Sequence, residues 1–201
     1  MIIKNYSLVF PKNYLEDFQK TKENLSKSLG GVIDKVLSDT SIGIKVGASF
    51  WVANHCINSC ISGFLEKSQP VNLERMNKYI DFIMRNPKAV IVKGPVLEEL
   101  VFRGLLQPVL TKGVAFIYGD KEIEVFNHKI KIAEAVGVTA SSVLFGMAHL
   151  TNGTGVQQVI STTLTGLVLG TLKNRYGLLS ATSAHMTNNA IGWGLLAMIH
   201  Q

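Results

Sequence analysis

The stretch VKGPVLEELVFRGLLQPVL, residues 92–110, poses the problem whose solution decides the fold. It is apolar along most of its length, yet Glu98, Glu99 and Arg103 stand at its centre, where an ordinary buried helix carries leucine or valine. Read as an α-helix, Glu99 and Arg103 are four residues and about 40° apart around the axis, so they can neutralise each other. Glu98 lies about 140° from Arg103 and has no such partner in its own helix. Gly94-Pro95 is a helix-start signal, which would put Glu98 in or near the first turn.

Around this segment the 201 residues are 47% apolar and 17% charged, with a mean hydropathy of +0.24, a balance that by itself does not separate a soluble chain from a membrane one. The placement of charge is more informative. Asp, Glu, Lys and Arg are absent from residues 46–65, 135–172 and 176–201. A crossing of the hydrocarbon needs about 20 apolar residues, so these gaps could hold one, two and one crossings, with residues 89–110 as a fifth. The predicted fold class is therefore all-α. Residues 42–201 form a membrane-embedded bundle of about five apolar helices, and residues 1–41 a polar, helical N-terminal region. The long gap divides at TNGTG, residues 151–155, and Gly166 and Gly170 have the spacing that lets membrane helices approach closely. The competing reading, a soluble helical domain with Ser, Thr, Asn and Gln in place of charges, predicts a chain that stays in solution without detergent.

Loop charges orient the bundle. With the N-terminus inside, the inner regions hold thirteen Lys and Arg and the outer ones five, all within residues 66–88. This bias favours the N-terminus inside and the C-terminus outside, and the expected location is the plasma (inner) membrane with the N-terminus cytoplasmic. The net charge of +6 comes without a basic stripe interleaved with aromatics, so no nucleic acid partner is expected. Cys56 and Cys60 are too few for a disulfide framework and, four apart, are read as packing residues. The start, MIIKNYSLVFPKNYLEDF, has too short an apolar run for a secretory signal.

Two stretches are amphipathic: one with Leu15, Phe18, Leu25 and Leu29 at helical spacing, and ERMNKYIDFIMRNPK, with Met76, Tyr79, Ile80, Ile83 and Met84 on one stripe. Each could lie along the membrane surface or pack on the rest of the chain. FIYGDKEIEVFNHKIK, residues 116–131, reads as a loop or small hairpin around Gly119-Asp120.

An unpaired carboxylate at membrane depth is costly, so Glu98 should face a cavity or other polar groups. Two constellations in the other charge-free segments can supply these. FGMAH sets Phe145 and His149 four apart, so that the ring walls the imidazole. HMTNN aligns His185 with Asn189, two side chains able to donate hydrogen bonds to one point. His55, His128 and His200 have no comparable setting.

EELVFR, FGMAH and HMTNN match, in order, the EExxxR, FxxxH and HxxxN motifs of the CPBP family. The chain thus resembles the CAAX protease and bacteriocin-processing (Abi) group of intramembrane endopeptidases, related to the type II CAAX prenyl endopeptidases. The resemblance spans residues 95–193 and leaves residues 1–90 unread. It implies a protease, a hydrolase acting on a membrane-associated protein or peptide within or beside the lipid bilayer. Glu98 and His149 would activate a water, His185 and Asn189 would donate to the oxyanion, and Glu99, Arg103 and Phe145 would support the site. No metal is favoured. Zinc held by Glu98, His149 and His185 is the alternative cofactor, although the HExxH spacing of common zinc proteases is absent. The alternative function is a non-catalytic membrane protein of the same fold, serving bacteriocin immunity or partner binding. One geometric demand follows from five full spans in simple serpentine order: His149 and His185 would lie about 15 Å apart in depth. They could share a substrate carbonyl only if TNGTG turns within the membrane, lining a polar cavity.

Overall fold

The computed structural model describes residues 12–65, 73–125, 128–150 and 155–199. Among these the chain forms six helices: α1 Lys12–Leu65, α2 Leu73–Arg85, α3 Ala89–Tyr118, α4 Ile132–Ala148, α5 Gly155–Tyr176 and α6 Leu178–Ile199. One antiparallel hairpin, β1 Glu122–Val125 with β2 His128–Lys131, modifies the all-α expectation. The hairpin lies within residues 116–131, but Gly119-Asp120 is not its turn. Gly119, at φ 71°, donates its N–H to the carbonyl of Ala115 and closes α3. Residues 151–154, His200 and the side chains of Leu15, Phe18 and Cys60 lie outside what is described. Cys56 is exposed and free rather than packed.

The chain divides into two compact units, residues 1–38 and 39–201. In the first, Leu25, Leu29, Val32 and Ile33 are exposed along the helix. In the second, small residues set how closely helices approach. On α1, a Cβ at Gly47 would collide with the backbone of Ala184 in α6, and one at Gly43 would come within 2.7 Å of Ser183 Cβ. Ser180 donates from Oγ to the carbonyl of Asp39 at 2.8 Å, and Leu169, Leu172, Ala181 and Ala184 form the apolar cluster beside this crossing.

The two glycines with close-packing spacing lie on the face of α5 that meets α4 and α3. A Cβ at Gly166 would lie 2.8 Å from Ser142 Cβ and 3.1 Å from a terminal nitrogen of Arg103, and one at Gly170 would lie 3.0 Å from Gln107 Oε1. Because the first obstacle includes the Ser142 Cα at 2.9 Å, backbone has to move to admit a methyl group. Gly166→Ala is expected to cost about 1–3 kcal/mol. Thermal unfolding of the detergent-solubilised chain measures this, and an unchanged midpoint would show that the packing is looser than these distances require.

Helix α3 is the one helix among the described residues long and apolar enough to cross a membrane; α4 is a shorter apolar helix. It is not a uniform α-helix. It opens with a π-helical turn, Ala89–Lys93, continues as α-helix over Gly94–Glu99, widens again to π over Leu100–Leu106, and resumes as α over Gln107–Tyr118. Gly94-Pro95 is thus inside the helix rather than at its start, and Glu98 does not face a free helix terminus. Leu97, Leu105 and Val109 are exposed while Glu99, Arg103 and Gln107 are fully buried, the reverse of a helix in a soluble protein.

Helix α2 keeps the periodicity of its sequence. Met76, Tyr79, Ile80, Ile83 and Met84 are half-buried, and the opposite face carries the exposed ion pairs Lys78–Glu74 and Arg85–Asp81. Trp193 of α6 donates from Nε1 to the carbonyl of Ile83 at 3.1 Å, fixing α2 beside the end of the bundle that holds the polar cavity.

Candidate active site

Three helices bring the sequence-predicted side chains together. Glu98 and Glu99 come from the α-helical turn between the two π segments of α3, His149 from the C-terminal cap of α4, and His185 and Asn189 from successive turns of α6. Glu98, Phe145, His149, His185 and Asn189 line a cavity of about 560 Å³, with Tyr79 of α2 on its wall. π turns widen a helix locally and recur at functional sites.

The two glutamates have separate surroundings. Glu99 is fully buried and lies 3.3 Å from Arg103, the expected pair, also fully buried. It has a second partner that helical periodicity could not reveal: Glu99 Oε1 lies 2.9 Å from Nδ1 of His185, across 86 residues of sequence. Glu98 is one-third exposed, towards the cavity. Its Oε2 is 3.6 Å from His185 Nε2 and 4.0 Å from His149 Nε2.

The imidazole orientations follow from their other nitrogens. His149 Nδ1 lies 2.8 Å from the carbonyl of Phe145, an atom that can only accept, so Nδ1 carries a proton and the lone pair of that tautomer lies at Nε2. His185 Nδ1 donates to Glu99 Oε1. Both Nε2 atoms face Glu98.

Phe145 holds this cluster from below. It is almost fully buried, with its ring 4.7 Å from that of His149 and 5.8 Å from that of His185, both edge-on, and with the Arg103 guanidinium 4.3 Å from its centroid. The cation–π contact helps a guanidinium whose Nε and terminal nitrogens make no in-line hydrogen bond. Contact of both imidazoles with one ring excludes the 15 Å separation of a simple serpentine.

Asn189 lines the cavity, and its Nδ2 donates to the carbonyl of Val90 at 3.0 Å, which leaves the amide a second N–H. Tyr79 joins the site although in the sequence its stripe reads as simple amphipathicity. Burial first, and the Glu98 carboxylate second, raise its phenol above the usual tyrosine value, so it stands in the cavity as a hydroxyl donor.

A carboxylate and two oriented imidazoles at the wall of a cavity between apolar helices are the equipment of a water-activating hydrolase. The family comparison agrees: the model for type II CAAX prenyl endopeptidase Rce1-like proteins matches residues 88–191, just over half of the chain, and the chain belongs to that family. This is a membrane-embedded family of proteases. No curated protein and no solved structure matches the chain. The matched region contains every residue named from the three motifs.

Proposed function

We propose that the protein is an intramembrane endopeptidase that hydrolyses a peptide bond of a membrane-associated protein or peptide, with Glu98 as the general base. The observation that carries this reading is the 4.0 Å between Glu98 Oε2 and His149 Nε2. Both atoms are acceptors, and the gap is too long for a direct hydrogen bond. One water donating to each, through bonds of about 2.8 Å, spans roughly 4 Å and turns its oxygen lone pair away from both. That lone pair attacks the scissile carbonyl.

As the new C–O bond forms, Glu98 takes the water proton, and the carbonyl oxygen becomes an oxyanion that His185 Nε2–H and the second N–H of Asn189 stabilise. A donor at His185 Nε2 requires both ring nitrogens protonated. Collapse breaks the C–N bond, and Glu98 returns its proton to the leaving amine. The apolar exterior of α3 and the family together support an integral membrane bundle, and the loop charges support a cytoplasmic N-terminus. The family's description as a prenyl endopeptidase makes prenylated proteins the first substrates to try.

Zinc would call on Glu98, His149 and His185, supplying a Lewis acid and an acidified water. Among the described residues no group of three His, Cys, Asp or Glu closes to a metal-holding set. Metal analysis and chelation distinguish the two: cleavage is expected to persist in a chelated, zinc-free preparation, and its loss with restoration by zinc would replace the mechanism. The activity itself is tested by comparing protein termini in membranes carrying the wild type or Glu98→Ala. New termini are expected with the wild type alone. Identical sets of termini would sink the proposal, and a phenotype surviving Glu98→Ala would favour the non-catalytic immunity or partner-binding role.

A further inference from the structure

Helix α3 contains a backbone vacancy that has a chemical consequence in the cavity. In the opening π turn, Gly94 donates its N–H to the carbonyl of Ala89, five residues back. The next bond of that pattern would run from residue 95 to the carbonyl of Val90, but residue 95 is proline and has no N–H. The Val90 carbonyl is therefore left without its helical donor. An acceptor left unpaired away from water is destabilising, and Asn189 of α6 meets the need with Nδ2 at 3.0 Å.

We infer that Pro95 is a positioning residue for Asn189: by withholding a backbone N–H it leaves the Val90 carbonyl to the carboxamide, which fixes the amide plane and turns the second N–H into the cavity. Pro95 is fully buried, and both Pro95 and Val90 line the cavity beside Glu98. A proline inside a helix ordinarily weakens it. Here the lost bond is replaced by one from another helix, which couples the HxxxN segment to the π turn that leads into the turn carrying Glu98. The inference rests on the proposed role of Asn189 for its catalytic half and on the backbone geometry alone for its structural half.

Two readouts on the full detergent-solubilised chain separate these halves. Asn189→Ala leaves the Val90 carbonyl unpaired and is expected to lower the unfolding midpoint by about 2–4 °C. Adding Pro95→Ala supplies the missing N–H and is expected to restore that midpoint without restoring cleavage. Pro95→Ala alone is expected to hold or raise the midpoint while reducing wild-type-specific termini about tenfold, because the amide loses its anchor. A purely structural proline would move stability and cleavage in the same direction. The inference is overturned if Pro95→Ala lowers the midpoint, if it fails to restore the Asn189→Ala variant, or if it retains wild-type cleavage. Should the wild type produce no termini at all, the proposed activity fails, and the midpoints still decide the Pro95–Val90–Asn189 link.

Discussion

Glu98→Gln is expected to lower peptide hydrolysis by about three orders of magnitude while leaving the unfolding midpoint nearly unchanged. Glutamine keeps the shape of the side chain, and Glu98 is one-third exposed with no short hydrogen bond to lose, so the fold has little reason to respond. The carboxamide cannot take the proton of the attacking water, and its NH2 would offer a donor where the bridging water needs an acceptor. Turnover of a substrate identified from the wild-type termini, measured beside a thermal scan, checks both halves. A Glu98→Gln protein that cleaves within tenfold of the wild type would assign the base elsewhere, whereas one that unfolds early would make Glu98 structural.

The neighbouring glutamate should behave in the opposite way. Glu99→Ala is expected to destabilise the protein by about 3–5 kcal/mol, because it strands the fully buried Arg103 guanidinium without a carboxylate. Part of this large effect is the desolvation cost of the abandoned charge rather than the strength of the pair, so a compensating change should recover it. Glu99→Leu combined with Arg103→Met removes both charges and is expected to regain most of the lost stability. Activity should not return with it, since His185 Nδ1 has lost its acceptor at 2.9 Å and the ring is no longer held. Thermal unfolding of the single and double variants measures the recovery. Equal stability of Glu99→Ala and wild type would show that water reaches the pair, and activity in the double variant would remove Glu99 from the positioning of His185.

The contrast between these two adjacent residues shows how far one-dimensional spacing can go. The i,i+4 relation of Glu99 to Arg103 and that of Phe145 to His149 are local, so periodicity finds them, and the π widening after Glu99 does not disturb the first pair. The stripe of α2 is legible for the same reason. The 86-residue link from Glu99 to His185 and the 99-residue link from Asn189 to Val90 have no local signature. Pro95 did contain a clue, because a proline within a helix always leaves a carbonyl to be satisfied; reading Gly94-Pro95 as a helix start concealed it.

From the sequence alone came the helical class, the small-residue face at Gly166 and Gly170, the separation of the two glutamates and the residues to be gathered from three segments, all consequences of short-range periodicity and of where charge is missing. Only the tertiary structure decided that both histidines meet on the ring of Phe145, that their Nε2 atoms face Glu98, and that one amide hydrogen of Asn189 is committed to the backbone. Those outcomes depend on helix crossings set by close contact between glycines and small side chains, and on which backbone groups each crossing leaves unpaired.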